Sequence, residues 1–374
     1  MLKLTAEGCA ARRQRLCAAV EADLFVLTHP HHILYFSGVW LSSLSLGSAG
    51  AHALLIDRDG ACALLTHAMM ASQARAGFAD EVVVYPSYSP EPPSLSSADP
   101  YGAFVGALNR QIEDRAAQTI GYERGGLPDG IAAVRRIDLN ATLRALRRRK
   151  DDDELALIRQ AVSAVEAGHA ALRAAIRPGI TEIDAFIAAQ DAITRAISGP
   201  VHMLGDFVSG PRAEYVGGPP TTRALLPGDV MIADIFPVIA GYRADFTATI
   251  AVGGGLSAVQ QRLDDALHDA LAAGESVLRA GTRAADVYHA VRHALDTHGF
   301  GAHFPHHAGH GIGLGHPEPP YFVPDSDERL VAGDVVTLEP GAYGSGFAGR
   351  IEHNYLITET GAERLTNHVT RMAG

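Results

Sequence analysis

Four carboxylates and one imidazole are spread over residues 230–354, each in a setting that suits a metal ligand. They are Asp234 in VMIADIFPV, Asp245 in GYRADFTAT, His310 in HHAGHGIGLGH, Glu339 in VVTLEPGAY and Glu352 in GRIEHNYLIT. Such a set is what two adjacent divalent cations require. Carboxylates chelate or bridge, and the single neutral imidazole distinguishes one ion from the other, so Mn²⁺, Co²⁺ or Zn²⁺ would all suit. Asp234 and Glu339 are flanked by apolar residues. Burying a carboxylate costs several kcal/mol unless a cation or hydrogen bonds compensate. Any one of these acids alone reads as an ordinary buried hydrogen-bonding group; the five together point to a metal cage.

Asp234 and Asp245 are eleven positions apart, which would put them on opposite faces of one straight strand. Residues 237–241 break that strand into a hairpin, so that the two acids converge from neighbouring strands. The GHGIGLG run is unlike a phosphate loop, which would carry a lysine or lead from strand to helix. Its glycines are expected to let the backbone pass close to a metal. A cation pair would acidify a bridging water towards neutral pH and polarise a scissile carbonyl. Glu339, at the edge of the set, is the residue expected to move the proton.

The elements that must position these groups follow from the rest of the chain. At 374 residues it predicts about two domains by the prior of roughly 150 residues each. With 31 basic against 42 acidic side chains it is net acidic, which argues against nucleic acid or an anionic membrane as partner. No window approaches the ~18 uninterrupted apolar residues of a membrane span, and the first residues lack a signal-peptide core. Cys9, Cys17 and Cys62 have no zinc-finger spacing and read as reduced thiols, so a cytoplasmic protein is expected. Helices are predicted over 6–20, 69–77 and 101–115, and strands over 23–28, 52–57, 61–66, 81–85 and 119–123, an α/β layer of its own. Residues 86–100, rich in Pro and Ser, read as a surface loop. The charged run 144–154 marks a domain boundary, with Asp151 to Asp153 at a helix start where the dipole favours anions. Helices then follow over 152–176 and 182–197, and later over 258–279 and 283–298, alternating with strand pairs. The division expected is 1–147 and 148–374.

The ordered motifs, Asp then Asp eleven residues on, then GHGIG, LEPG and RIEHN, resemble those of the pita-bread metallopeptidase family over about residues 207–358. That family includes methionine aminopeptidase, aminopeptidase P, prolidase and creatinase. The Arg-rich junction after a smaller N-terminal domain is similar to the prolidase, aminopeptidase P and creatinase branch. The resemblance implies a two-domain α/β protein, a creatinase-like mixed α/β domain followed by a pseudo-twofold pita-bread α+β domain, as a homodimer. It also implies that Asp234 chelates one ion, that Asp245 and Glu352 bridge, and that His310 and Glu339 complete the other site.

Two departures stand out. Family members carry a histidine eight residues after the serine of a Ser-Gly pair, where it lies against the substrate; here the pair is Ser209-Gly210 and the place is Gly217. A second family histidine falls seven residues beyond the metal-binding one; here that place is Pro317, with His316 one step early. Three residues could compensate. His316 could reach the site by a one-residue shift, Tyr215 could offer a phenol to the tetrahedral intermediate, and Arg350, on the same strand face as Glu352, could bind a substrate carboxylate. His306 matches a histidine that many relatives place four residues before the metal-binding one, and is a candidate substrate contact. His303 and His307 read as structural or exposed. Tyr35 and Trp40 could wall a proline ring, although core packing is the plainer reading.

The function expected is dinuclear metal-dependent hydrolysis of Xaa-Pro bonds in small peptides, foremost dipeptides, because Arg350 could read a free C-terminal carboxylate. The alternatives are an aminopeptidase P acting on longer peptides, a creatinase-like hydrolase of a small non-peptide C–N bond, and a metal-binding scaffold without catalysis.

Overall fold

The computed structural model describes residues 2–41, 51–87, 97–123, 125–131 and 135–373. Most of the segment read as a loop over 86–100 lies outside them. The described chain divides into two compact units, one spanning Lys3–Arg147 and the other beginning at Arg148.

The first unit is built on a mixed sheet of β1 (Leu24–Leu27), β2 (Ala53–Asp57), β3 (Cys62–His67), β4 (Glu81–Tyr85), β5 (Thr119–Tyr122) and β6 (Arg135–Asp138) in the order β4-β3-β2-β1-β5-β6. β1, β2 and β3 pair antiparallel, while β4, β5 and β6 add on in parallel. Their apolar runs pack on the helix Pro100–Asp114 through Leu24, Leu55, Leu65, Phe104, Leu108 and Ile112. A helix at Pro30–Ser37 was not expected, because His29-Pro30 reads as a strand end. Proline at the first helical position lacks an N–H that the helix does not need, and His29 Nδ1 accepts from the His31 N–H at 3.2 Å, so the same dipeptide starts a helix. That helix buries Tyr35 completely, and the Tyr35 hydroxyl donates to the Leu146 carbonyl at 3.0 Å. Tyr35 is core, not a wall for substrate.

The second unit repeats one order twice: a helix pair, then strands. Helices Asp152–Ala175 and Glu182–Ile197 precede β7 (Gly205–Ser209), β8 (Val230–Ile235), β9 (Val238–Ile239), β10 (Tyr242–Arg243) and β11 (Phe246–Ala251). Helices Ala258–Glu275 and Ala284–Thr297 precede β12 (His310–Gly311), β13 (Glu318–Tyr321), β14 (Val335–Leu338), β15 (Gly341–Gly344), β16 (Phe347–Arg350), β17 (His353–Ile357) and β18 (Ala362–Arg364). Local chemistry sets the helix starts. The Asp151 N–H donates to Glu154 at 3.0 Å, and Thr181 with Asp184 and Ser257 with Gln260 form reciprocal caps.

Three strands form an antiparallel sheet β11-β8-β7, five form β13-β12-β14-β17-β18, and β9-β10 and β15-β16 are two-stranded ribbons. Leu263, Leu267 and Val291 from the second helix pair pack with Ile232, Val336 and Leu338 from the strands and with Ile351 just after β16. Burying each such side chain contributes ~1.5–3 kcal/mol. Thr249 on β11 ties β16 to this core, its hydroxyl donating to the Arg350 carbonyl at 2.7 Å and accepting the Arg350 N–H at 2.9 Å. The Glu352 N–H likewise donates to the Thr247 carbonyl at 3.1 Å. These bonds bring residues a hundred positions apart into one wall.

Candidate metal centre

The β9-β10 ribbon is the hairpin that the Asp234 to Asp245 spacing requires. It folds back so that β11 lies antiparallel to β8, with Thr247 opposite Asp234 and Asp245 just before the strand. Asn354 on β17 fixes the Asp245 backbone, accepting its N–H at 3.2 Å and donating to its carbonyl. Glu352 lies in the two-residue link between β16 and β17. Ligand oxygens of Asp234, Asp245 and Glu352 all lie within 4.8 Å of one another.

Each of these three carboxylates has one oxygen engaged and one bare. Asp234 Oδ2 is 2.8 Å from Arg350 Nη2, Asp245 Oδ2 is 2.7 Å from His316 Nε2, and Glu352 Oε2 accepts from the Thr247 hydroxyl at 2.8 Å. Asp234 Oδ1, Asp245 Oδ1 and Glu352 Oε1 are buried without a hydrogen-bond partner. Buried unsatisfied oxygens from three acids in one place cost too much to be idle, and they are the donors a hard cation takes.

His310 completes this donor set. Its Nδ1–H donates to the Gly311 carbonyl at 2.9 Å, so Nε2 is the nitrogen turned to the acids, 3.4 Å from Asp245 Oδ2 and 3.7 Å from Glu339 Oε1, and the one a metal would take in place of a proton. Thr337 holds the two neighbours in register: its hydroxyl accepts the His310 N–H and donates to Glu339 Oε1, both at 3.1 Å. The donor set therefore fits two oxygen-preferring divalent ions, which Asp234, Asp245, His310, Glu339 and Glu352 would hold.

The electrostatics show the same need. Burial first, and then the neighbouring acids, hold the Asp234 and Glu352 carboxyls well above the usual carboxylate range. Burial also opposes charge on Asp245 and Glu339. There the adjacent histidines win, His316 and His310 for Asp245 and His307 and His310 for Glu339, which is pulled down to about 2. A cation would relieve the repulsion in all four.

Two glycines of GHGIGLG, Gly309 and Gly311, are required by neighbouring backbone. A Cβ at Gly309 would sit 2.2 Å from the Thr337 carbonyl oxygen and one at Gly311 2.2 Å from that of Pro319, so β12 can enter the sheet only without side chains there.

The other expected site residues divide. His316 reaches the cage: Asp245 holds its Nε2, and its ring stacks on Phe236 with centroids 4.5 Å apart. The buried pair Lys150–Glu318, 3.0 Å apart, secures the loop that carries it, with Glu318 also accepting the Gly315 N–H at 3.1 Å. Arg350 is buried and its guanidinium is fully engaged. Nε donates to Thr247, Nη1 to the Val216 carbonyl and the Tyr343 hydroxyl, and Nη2 to Asp234 and, at 3.4 Å, to Asp206. No N–H remains for a substrate carboxylate. His306 lies in the layer behind, its Nδ1–H donating to the His307 carbonyl at 2.7 Å and its Nε2 3.1 Å from the Tyr343 hydroxyl. Burial lowers its pKa to about 4, so it is neutral near pH 7. Tyr215 is 74% exposed.

His307 was passed over and belongs to the site: its Nδ1 is 3.2 Å from Glu339 Oε1, without the alignment of a hydrogen bond. Thr247, two residues beyond Asp245, was also missed. The signal available was its place among the ligands; what hid it is that its partners lie more than a hundred residues away.

Comparison with known proteins gives the family. The family model of the creatinase/prolidase N-terminal domain matches residues 10–140, and that of metallopeptidase family M24 matches 156–359. An uncharacterised peptidase of Staphylococcus aureus is 27% identical over 350 residues, 93% of this chain and 95% of its own. Among solved structures, a dipeptidase from Mycobacterium ulcerans superimposes with a TM-score of 0.81 at 26% identity, covering 99% of both chains. An Xaa-Pro dipeptidase from Bacillus anthracis (TM-score 0.83, 23% identity, 99% of both chains) shares the fold, as does an X-Pro aminopeptidase from Thermotoga maritima (0.83, 23%, 98% of this chain and 99% of that one). The second unit is thus the pita-bread α+β domain and the first its creatinase-like companion. With the M24 match spanning more than half of the chain and enclosing all five cage residues, the protein belongs to metallopeptidase family M24.

Proposed function

We propose that this chain hydrolyses Xaa-Pro peptide bonds when its cage holds two divalent ions, with Mn²⁺, Co²⁺ or Zn²⁺ as the candidates. One observation carries the reading: Asp234, Asp245 and Glu352 converge with ligand oxygens within 4.8 Å of one another, each keeping one buried oxygen without a hydrogen-bond partner, beside an imidazole that turns its Nε2 to the acids. When bound, the ions supply a nucleophilic water near neutral pH and polarise the carbonyl under attack. The chain does the rest. Glu339 receives the water's proton and delivers it to the leaving nitrogen, with His307 beside it to share the charge. His316 orients Asp245, and Arg350 orients Asp234. Tyr215 is left outside this machinery, and His306 supports it through Tyr343.

The names of the Xaa-Pro dipeptidase and X-Pro aminopeptidase that share the fold support the Xaa-Pro bond as substrate. The expectation of dipeptides rested on Arg350 reading a carboxylate. Since that guanidinium is engaged within the protein, the proposal is made for the bond, and peptide length is a matter for assay. A cytoplasmic homodimer remains part of the reading; no disulfide joins Cys9, Cys17 or Cys62, and no helix among the described residues is long and apolar enough to cross a membrane. The test is hydrolysis of Ala-Pro, Leu-Pro and Ala-Pro-Ala by protein loaded in turn with each ion. Metal bound without turnover of any of them would overturn the reading. A second reading, hydrolysis of a small non-peptide C–N bond, is kept by Gly217 and Pro317, which stand where the family resemblance leads one to expect histidines.

A further inference from the structure

Asp206 on β7 lies directly opposite Asp234 on β8, so both side chains leave the sheet on the same face, and both carboxylates approach Arg350 Nη2. No sequence motif draws attention to it. Its Oδ1 accepts the Gly218 N–H at 2.9 Å, and its Oδ2 lies 3.4 Å from Arg350, well beyond the 2.8 Å that Arg350 keeps to Asp234. The side chain is 30% exposed, at the open edge of an otherwise buried cage.

Gly217 explains the arrangement. A Cβ at that position would sit 2.1 Å from Asp206 Oδ2 and 2.5 Å from its Cγ, so the carboxylate fills the space that any side chain at 217 would enter. Glycine at 217 and aspartate at 206 therefore form one unit: the place where a histidine is expected is taken from the neighbouring strand by an anion. An ionised aspartate offers only acceptors, and with a long contact to Arg350 it keeps lone pairs for a ligand. A substrate carboxylate at this edge would meet a like charge, with every Arg350 N–H already engaged. An ammonium or another cationic N–H donor would gain a charge-assisted hydrogen bond.

We propose that the edge at Asp206 takes the leaving side of the substrate and that Asp206 sets the specificity there, selecting a cationic N–H group in place of a free carboxylate. The proposal deepens the Xaa-Pro reading and rests on it for the bond cleaved.

Three substrates that differ only beyond proline test it: Ala-Pro, Ala-Pro-amide and Ala-Pro-(2-aminoethyl)amide. In the Mn²⁺-loaded enzyme kcat/KM should rise in that order, with the cationic compound about tenfold or more above the free acid and the difference carried by KM. Asp206→Asn keeps the size and the acceptor for Gly218 while removing the charge, and should bring the ratio close to one; Asp206→Glu should retain the preference. A merely structural Asp206 would leave the ratio unmoved in Asp206→Asn. Wild-type preference for the free acid, or an unchanged ratio in the variant, overturns the proposal, and the wild-type measurement needs no variant to fold. Calorimetric binding of proline and of prolyl-(2-aminoethyl)amide to the Mn²⁺-loaded protein separates the two readings. If no Xaa-Pro compound is cleaved but the amine binds more tightly in a manner that Asp206→Asn abolishes, the bond is wrong and the charge selection stands. Cleavage with no charge preference in either assay means the reverse.

Discussion

Arg350 Nη2 lies 2.8 Å from Asp234 Oδ2, inside the protein, with both side chains almost wholly shielded from water. This contact gives the arginine a role in holding a metal ligand. Burial alone would depress the charge on Arg350, yet Tyr343, Asp234 and the other acids around it raise its pKa well above the usual arginine value.

Arg350→Met should therefore weaken Mn²⁺ binding about 10- to 100-fold, as loss of a residue supporting a metal ligand commonly does. The loss of activity should be equal for dipeptides and longer peptides once metal is saturating. Metal titration by calorimetry checks the first part. A KM increase confined to dipeptides, with unchanged metal affinity, would restore the carboxylate-reading role.

His316 holds Asp245 through Nε2 at 2.7 Å and is not one of the five expected ligands, so removing it should leave the ions in place and reduce turnover. For His316→Ala we expect kcat lower by about 10²-fold. Lys150→Met, which unpairs Glu318 under the same loop, should give a smaller fall of the same kind and a less stable protein, since breaking a buried pair costs ~3–5 kcal/mol. Metal analysis with steady-state kinetics distinguishes these outcomes. Loss of metal in His316→Ala would make it a ligand.

Removing metal exposes the cost of the cage. Glu352 is held far above its usual pKa by burial and by Asp245, Glu339 and Asp234, so without a cation its charged form destabilises the fold as pH rises above the ordinary carboxylate range. In EDTA at pH 7, Glu352→Gln should melt at a higher temperature than wild type. With Mn²⁺ at about 100 times its Kd, wild type should gain about 2.7 kcal/mol and overtake it. Thermal unfolding in both buffers measures this; the same order in both would count against a metal role for Glu352.

A cluster of imidazoles packed edge-on and tilted behind β11 predicts acid sensitivity. His368 donates to the Thr247 carbonyl at 3.1 Å and lies 4.9 Å from the His169 ring and 4.8 Å from that of His353. Burial lowers its pKa to about 4. Between pH 6.5 and about 4 the unfolded chain binds a proton that the folded one refuses, so stability falls as pH falls through that window. His368→Gln should make the urea midpoint less steep in pH, by up to one proton or ~1.4 kcal/mol per pH unit. An unchanged slope would assign the acid sensitivity to other groups.

Residue type and order were enough to mark the cage. A buried carboxylate or a paired glycine leaves a local trace, and so does a proline after a charged helix start. For that reason the sequence singles out Asp234, Asp245, His310, Glu339 and Glu352 as candidates, and the helices Asp152–Ala175 and Glu182–Ile197 are legible almost to the residue. The helix at Pro30–Ser37 is not, because His-Pro ends one element and begins another with the same chemistry.

Only the tertiary structure decided what surrounds the cage. Asp206 pairs with Asp234 across two strands, Thr247 reaches Glu352 over 105 positions, and Arg350 faces Asp234 over 116. Sheet register sets such contacts, and a shift of one residue would turn every one of these side chains to the other face. The ligands announce themselves in the chain because each must be a particular residue type. Their partners do not, because what matters there is which backbone lies alongside, and that is fixed by the packing of the whole domain.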